Sequence, residues 1–253
     1  MSDRVAGIDV EGNSLIEFSS DITVKLVRAC TADEFVVQTA QVSSKGETEV
    51  EELVKKYEAG EINIERFINA LVKGKHGSPF EHNMFTFFVE APIFVFREWH
   101  RHRIASINEM SGRYTVLPNK FYIPGEDRPI INVGTKMKPK FEPNLEATMD
   151  VQAILNHSAV DAWEHYQWML NSGIANEVAR MVLPVNIYSQ MYWTVNARSL
   201  MNFLSLRSRQ DGAAYVSYPQ REIQMGAEKI EEVFAELMPA TYKSFVENGR
   251  VAP

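Results

Sequence analysis

RHRIASINEMSGRY, residues 101–114, puts three arginines, a histidine, a glutamate, an asparagine and two serines into one short stretch. No ordinary core segment has that composition. Arg101, Arg103 and Arg113 each offer a planar fork of donors suited to phosphate oxygens. Asn108, Glu109, Ser106 and Ser111 supply hydrogen-bond partners for a base, a ribose or a ring. Cations flanking one carboxylate point to an anionic ligand carrying a polar ring. An exposed basic helix end running into a loop has the same composition, and composition alone does not separate the two.

Working outward, the run Arg101-His102-Arg103, followed after seven residues by Ser111, resembles the signature of the flavin-dependent thymidylate synthases. HGSPFEH (76–82), APIFVFREW (91–99), ARMVLPVN (179–186) and WTVNARSLMNFLSLR (193–207) are similar to segments of that family in the same order, so the resemblance covers most of residues 35–235. It implies an α/β subunit of α+β type, a mixed or antiparallel sheet flanked by helices, and a homotetramer whose active sites are shared between chains. The implied reaction is reductive methylation of dUMP to dTMP, with methylenetetrahydrofolate as one-carbon donor and FAD, reduced by NADPH, as hydride source.

Residue by residue, the resemblance assigns Ser78, Arg101, His102, Arg103, Glu109, Asn196, Arg198 and Asn202 to the flavin, with Ser43 a weaker candidate. His76 falls at the folate and flavin face, and Glu81 supports its loop. Glu98, Arg101, Glu109, Met110, Ser111, Gly112, Arg113, Arg180 and Arg207 match the dUMP site. Backbone N–H groups of the 109–113 loop, with Gly112 permitting close approach, would join Arg113 and Arg180 on the 5′-phosphate. Arg207 would be the catalytic group, favouring ionisation of uracil N3. Two departures stand out. Many members have glutamine where this chain has Glu98, and a carboxylate cannot donate as an amide does. Many also place a histidine soon after the arginine matching Arg207, whereas here SRQDGAAYVSYP (208–219) intervenes.

Composition bounds the alternatives. At 253 residues, 45% hydrophobic and 23% charged, the chain reads as one soluble domain spanning 1–253, with 1–20 a polar lead. It carries no apolar run of the ~20 residues that a membrane span needs. A single cysteine, Cys30, and an N-terminal stretch without an apolar core fit a cytoplasmic protein. A net charge of −7 argues against a nucleic-acid coat and suits a local cationic site for a small anion.

Periodicity gives the elements. Residues 21–29 read as a strand, and Thr31–Glu34 and Thr48–Glu51 have the capping-box pattern that would open helices over 32–42 and 48–58. Ile64, Phe67, Ile68 and Leu71 recur at helical spacing before Gly74. A strand follows over 83–90, then a helix from Pro92 to 103, a loop over 105–112, a strand over 113–123 and a loop over 124–142. The spacing predicts a long helix over 145–171, with Met149, Ile154, Val160, Trp163 and Met169 as core or subunit contacts. A short helix over 175–182 precedes a strand over 187–195. Asn196 caps a helix bearing the stripe Arg198, Asn202 and Leu206 and closed by Arg207. A final helix pair over 220–237 and 240–247 reads as scaffold.

Neither G-x-G-x-x-G nor a Walker sequence is present, so arginine forks would have to hold any nucleotide. His76, His82 and Glu81 lack metal-ligand spacing with any second cluster, and His100 and His102 lie on different sides of the expected helix; no metal is expected. Cys30 ends a strand away from the motif, which disfavours cysteine catalysis, and Ser111 has no assignable base, which makes it a nucleotide ligand rather than a nucleophile. The competing class is a nucleotide- or single-stranded RNA-binding module, with the arginines beside Phe85, Phe87 and Phe88 as stacking platforms.

Overall fold

Alternation of large apolar and polar side chains writes the central strands. Phe85, Phe87, Val89 and Ala91 point one way and are buried in Met84–Pro92; Met191, Trp193 and Val195 do the same in Tyr188–Asn196. In the computed structural model, residues 16–46, 52, 55–61 and 63–253 are described. Their strands, in order, are β1 Glu17–Ser19, β2 Thr23–Cys30, β3 Met84–Pro92, β4 Ser106–Glu109, β5 Lys120–Tyr122, β6 Ile131–Asn132, β7 Phe141–Glu142 and β8 Tyr188–Asn196. A four-stranded sheet has the order β2-β3-β8-β4, and Thr86 and Thr194 of its central strands bond through their hydroxyls at 3.0 Å. The helices are Asp33–Lys45, Ile64–Lys73, Ile93–Trp99, Leu145–Asn171, Asn176–Ala179, Ala197–Arg207, Arg221–Leu237 and Pro239–Glu247.

Packing divides the chain into two units. Of the described residues, the first comprises 16–23, 90–101 and 108–191. Its core gathers Phe18, Leu117, Phe121, Ala159 and Ile187, with Trp163 and Met110 against them. β1 runs parallel to β5, Phe18 opposite Phe121. The long helix starts where Asn144 accepts a hydrogen bond from the Ala147 N–H, and it turns Ala159, Ala162 and Tyr166 inward. Its other face leaves Leu145, Met149, Ile154 and Trp168 exposed.

Of the described residues, the second unit comprises 24–46, 52, 55–61, 63–89, 102–107 and 192–253. Phe85 stacks on Phe87, Phe87 on Trp193, and Trp193 lies tilted against Phe203 with centroids 4.9 Å apart. Each such ring, fully buried, contributes about 1.5–3 kcal/mol relative to exposure. Ile223, Ala227, Ile230 and Phe234 pack from Arg221–Leu237. Asp33, rather than starting its own helix through a capping box, accepts from the backbone N–H groups of Ala240 and Thr241 and so caps Pro239–Glu247.

Several expectations change. No side chain caps the Asp33–Lys45 helix, so the Thr31–Glu34 box does not form. The second box lies outside the described residues, although residues 55–58 are helical. Pro92 is the N-cap of a helix that ends at Trp99, not at 103. The expected 105–112 loop instead contains β4. The expected 113–123 strand shrinks to Lys120–Tyr122, because the chain turns back at Ser111, whose carbonyl accepts from Tyr114 and Thr115, and Pro118 then interrupts it. Within 124–142, β6 and β7 form a small antiparallel ladder.

Candidate active site

In the second unit, the Ala197–Arg207 helix carries the site residues. Asn196 ends β8 in extended conformation and its side chain accepts from the Ser199 N–H, so the strand passes directly into the helix. Arg198 lies one turn in. Its Nε donates to the Pro253 carbonyl at 2.8 Å and its Nη1 to Glu81 Oε1 at 2.5 Å. A methyl group on Gly77 would overlap the Arg198 Nε and approach the Pro253 oxygen to 2.7 Å, so the bare backbone at 77 is what lets the HGSPFEH loop lie on this guanidinium. His76, Ser78 and Asn202 are exposed, as is Ser43.

Arg207 ends that helix, half-buried, and its Nε donates to Nε2 of His102 at 3.1 Å. The His102 ring meets the buried Phe203 edge-on, 4.8 Å between centroids. Burial, with the Arg207 charge adding to it, lowers the His102 pKa to about 4, so at neutral pH the ring is uncharged, accepts at Nε2 and carries its proton on Nδ1. The next residue, Ser208, is buried and donates through its hydroxyl to Glu231. Arg250 forks onto Glu231 at 2.6 and 2.8 Å, and Tyr242 donates to it at 2.9 Å. Burial pushes the Glu231 carboxyl up, but the hydrogen bonds and charge of Arg250, with Ser208, outweigh it and hold the group below its usual range. The intervening 208–219 segment is tied down by the Ala214 N–H on the Gly249 carbonyl and by Arg209 over the Tyr218 ring.

In the first unit, the Ile93–Trp99 helix ends with the His100 N–H donating to the Phe96 carbonyl and the Arg101 N–H to the Glu98 carbonyl. Glu109 lies 3.6 Å from His100. The Met110 N–H donates to the Gln190 carbonyl, which fixes the start of the loop. The Arg113 N–H donates to the Ser111 hydroxyl at 3.3 Å. Gly112 is buried, and a methyl there would come within 3.2 Å of Arg180 Cδ and the Leu117 side chain. Arg113 pairs with Glu177 at 3.0 Å.

The expected set divides between the two units. Glu98, Arg101, Glu109, Met110, Ser111, Gly112, Arg113 and Arg180 belong to the first; Ser78, His102, Arg103, Asn196, Arg198, Asn202 and Arg207 belong to the second. Among the described residues, Arg101, Arg103 and Arg180 are exposed and take part in no ion pair. Exposed planar cations on an acidic chain suit the phosphates of a small anionic ligand. Sequence reading had not singled out Gly77, Pro253, Glu177, Glu231 or Arg250. None of them carries a local pattern that distinguishes it, since each acts on a residue distant in sequence.

Residues 25–240 match the family model described as thymidylate synthase complementing protein. The chain is 49% identical over 238 residues to a flavin-dependent thymidylate synthase of Streptomyces avermitilis, covering 93% of this chain and 95% of that one. It is 47% identical to one from Tropheryma whipplei over 93% and 97% of the two chains. The chain belongs to the flavin-dependent thymidylate synthase family.

It is therefore an enzyme of thymidylate synthesis with FAD as cofactor. A solved structure of a UMP/dUMP methylase, PolB from Streptomyces cacaoi, bound with 5-Br UMP, superimposes with a TM-score of 0.84 at 43% identity, covering 94% of this chain and 100% of that one. Its counterpart with 5-Br dUMP gives 0.83 at the same identity, covering 93% and 99%. The α/β fold with an antiparallel sheet flanked by helices follows. These relatives support the enzyme reading over the binding-module alternative; of the three rings that the alternative needs, Phe85 and Phe87 are fully buried against Phe234 and Trp193, while Phe88 is half-buried against Tyr192. No described helix is long and apolar enough to cross a membrane.

Proposed function

We propose that the flavin-dependent thymidylate synthase chain methylates dUMP to dTMP, with methylenetetrahydrofolate as one-carbon donor, NADPH as reductant and Arg207 as the group that activates the pyrimidine. FAD, when bound, supplies the hydride that completes the methyl group. Arg103, Arg198, Asn202, Ser78, Arg101 and Glu109 would hold it, the arginines on its phosphates and Asn202 and Ser78 by hydrogen bonds, with His76 towards the folate face. Ser111, the 109–113 backbone, Arg113 and Arg180 would hold the nucleotide, and Glu98 its base or sugar.

The observation that carries the reading is the holding of Arg207: a half-buried guanidinium aimed through Nε by a neutral histidine, on a helix whose next residue is clamped by a buried ion pair. Such a cation cannot lose its charge at working pH and acts as a fixed field. A unit charge about 4 Å from N3, at an effective dielectric near 20, is worth about 4 kcal/mol before solvation costs. At 1.36 kcal/mol per unit, N3 ionisation would become easier by at most roughly three pKa units.

Arg207→Ala should keep its FAD and lose about 10²–10³-fold in turnover, the scale of removing one fixed electrostatic donor. The residual rate should rise at alkaline pH as N3 ionises unaided, and Arg207→Lys should fall between. Parallel pH profiles at nearly equal rates would remove Arg207 from the reaction.

UMP is the competing substrate, since the Streptomyces cacaoi neighbour is described as acting on both nucleotides. Turnover of dUMP against UMP at equal concentration separates the readings, and equal kcat/KM would favour the broader one. The exposed Leu145, Met149, Ile154 and Trp168 on one long helix support assembly into a homotetramer, testable by light scattering.

A further inference from the structure

Residues 250–253 follow the last helix and meet both ends of the helix that carries the site. Pro239–Glu247 closes in a paired turn, the Gly249 N–H donating to the Val246 carbonyl and the Arg250 N–H to the Phe245 carbonyl. Gly249, at φ 73°, takes the left-handed conformation that such a turn requires, and Arg250 repeats it at φ 59°. In a residue with a Cβ that conformation is strained and persists only where the surroundings over-determine it. Here the buried Arg250 guanidinium forks onto Glu231 at 2.6 and 2.8 Å and lies over the Phe245 ring, which holds the backbone in its bend.

The bend turns the chain back onto Ala197–Arg207. At one end of that helix, Arg250 Nη2 lies 3.5 Å from the carbonyl of Ser208, the C-cap. At the other, the buried Pro253 carbonyl accepts from Arg198 Nε at 2.8 Å. Arg198 and Ser208 are about 15 Å apart along a helix axis, and the peptide steps from Arg250 to Pro253 span about 10 Å when extended. The Arg250 side chain, reaching back to Ser208, covers the rest.

We propose that residues 250–253 form a strap that positions Arg198 for the flavin, with Arg250 as its anchor and the Pro253 carbonyl as its contact. This rests on the reading of Arg198 as a flavin ligand and deepens it. Arg198 is held from two sides, Nη1 by Glu81 and Nε by Pro253, and the holders differ in kind. The Glu81 pair is 41% and 43% exposed at the side chains, so solvent screens it and sets direction loosely. The carbonyl belongs to a buried residue and carries no charge, so it fixes direction without neutralising the cation that would meet a flavin phosphate.

The test refills flavin-free protein with FAD and reads the dissociation constant from flavin fluorescence. The proteins are the parent, a variant lacking 251–253, a variant with a glycine pair inserted after Arg250, Arg198→Ala, and Arg198→Ala combined with each strap change. Both strap changes keep Arg250 and its ion pair. Each should weaken FAD about tenfold, the lower end for losing one hydrogen bond to a charged group. In the Arg198→Ala background each should add less than about twofold, because the strap has nothing left to hold.

If Arg198→Ala weakens FAD and both strap changes keep the parental affinity, the strap is overturned while Arg198 remains a flavin ligand. If Arg198→Ala binds FAD as the parent does, that reading falls and the proposal falls with it. If the strap and Arg198 losses multiply, the segment acts through the fold or on the flavin itself, and the proposal is overturned. The glycine insertion keeps every strap residue, so parental affinity in that variant overturns the proposal even where the shortened chain does not fold.

Discussion

Arg198 and Arg207 of the second unit are held in a different way from Arg113 and Arg180 of the first. In the second unit, Arg198 and Arg207 each have Nε occupied by a protein acceptor, and behind Arg207 stands the buried Arg250–Glu231 pair. In the first, Arg180 is exposed without an ion pair among the described residues, and Arg113 meets the half-exposed Glu177 and the exposed Tyr114 ring. For Arg207 set against Arg113 and Arg180, the difference follows from what each cation would have to do. A group that must point at one ring atom has to be fixed before the ligand arrives, since the cost of fixing it would otherwise fall on the transition state. A group that meets a phosphate needs charge and reach more than direction, because phosphate oxygens accept from many angles.

The largest effect expected from breaking the held side of this comparison is on stability. Arg250→Ala would leave the Glu231 carboxylate buried beside Ser208 and Tyr242 without its cation, and removing one partner of such a pair costs about 3–5 kcal/mol. Urea unfolding monitored by tryptophan fluorescence should show that loss, and dTMP turnover should fall at temperatures where the fold persists. A loss below about 1 kcal/mol would mean that the pair behaves like a surface ion pair and does not anchor the helix end.

Next is Gly77→Ala. The added methyl overlaps Arg198 Nε and presses on the Pro253 carbonyl, and overpacking of this kind costs about 1–3 kcal/mol unless the neighbours move. Since the guanidinium is what must move, FAD affinity should weaken by roughly tenfold, while Ser111→Ala and Arg180→Ala leave it alone. Flavin retention on a desalting column measures it, and unchanged retention would show that the direction of Arg198 is immaterial to the cofactor.

Much of this architecture was legible before any coordinates. The long helix, the Ala197–Arg207 helix with its Asn196 cap and the two central strands follow from periodicity and capping chemistry, which are local. β4 was not legible, because Ser106–Glu109 offers one apolar residue in four and reads as a polar loop. The Thr31 box misled because the helix takes Ala32 as its N-cap with no side-chain cap, while the neighbouring Asp33 serves a helix more than two hundred residues away. The site divides along the same line. The motif residues were found as types, but the His102–Arg207 bond, the hold of Pro253 on Arg198 and the Glu231–Arg250 pair join distant segments and leave no local pattern.

A smaller effect concerns pH and tests whether His102 is held neutral. The folded chain binds a proton on His102 only near pH 4, while the unfolded chain binds it near 6.5. Between those values the unfolded state therefore holds more protons, so stability falls as pH drops from about 6.5 towards 4 and is fully present above that window. The shift bounds the effect at roughly 3 kcal/mol, and screening at a half-buried site reduces it to about 1–2 kcal/mol. The difference in unfolding free energy between the parent and His102→Gln, followed from pH 7 to 4.5, isolates this group from the carboxylates that titrate in both. Equal slopes would mean that His102 is as free to ionise in the fold as outside it.

The smallest effect probes the other side of the comparison. Arg113 and Glu177 are 53% and 51% exposed at the side chain, and an ion pair so placed contributes about 0–1 kcal/mol. Glu177→Gln should leave the fold within about 0.5 kcal/mol of the parent. If Arg113 serves the 5′-phosphate, however, Glu177 is a competitor for the same guanidinium. Removing its charge should then tighten dUMP, lowering KM by up to roughly fivefold, the equivalent of the pair's own worth. The gain should shrink with added salt, as the screening length falls from about 10 Å at 0.1 M to about 3 Å at 1 M. If Arg113 instead only braces the loop against the Asn176–Ala179 helix, the variant loosens the turn at Ser111 and KM stays level or rises at every salt concentration. The sign of the KM change in Glu177→Gln thus tells whether the exposed arginine waits for a ligand or for its neighbour.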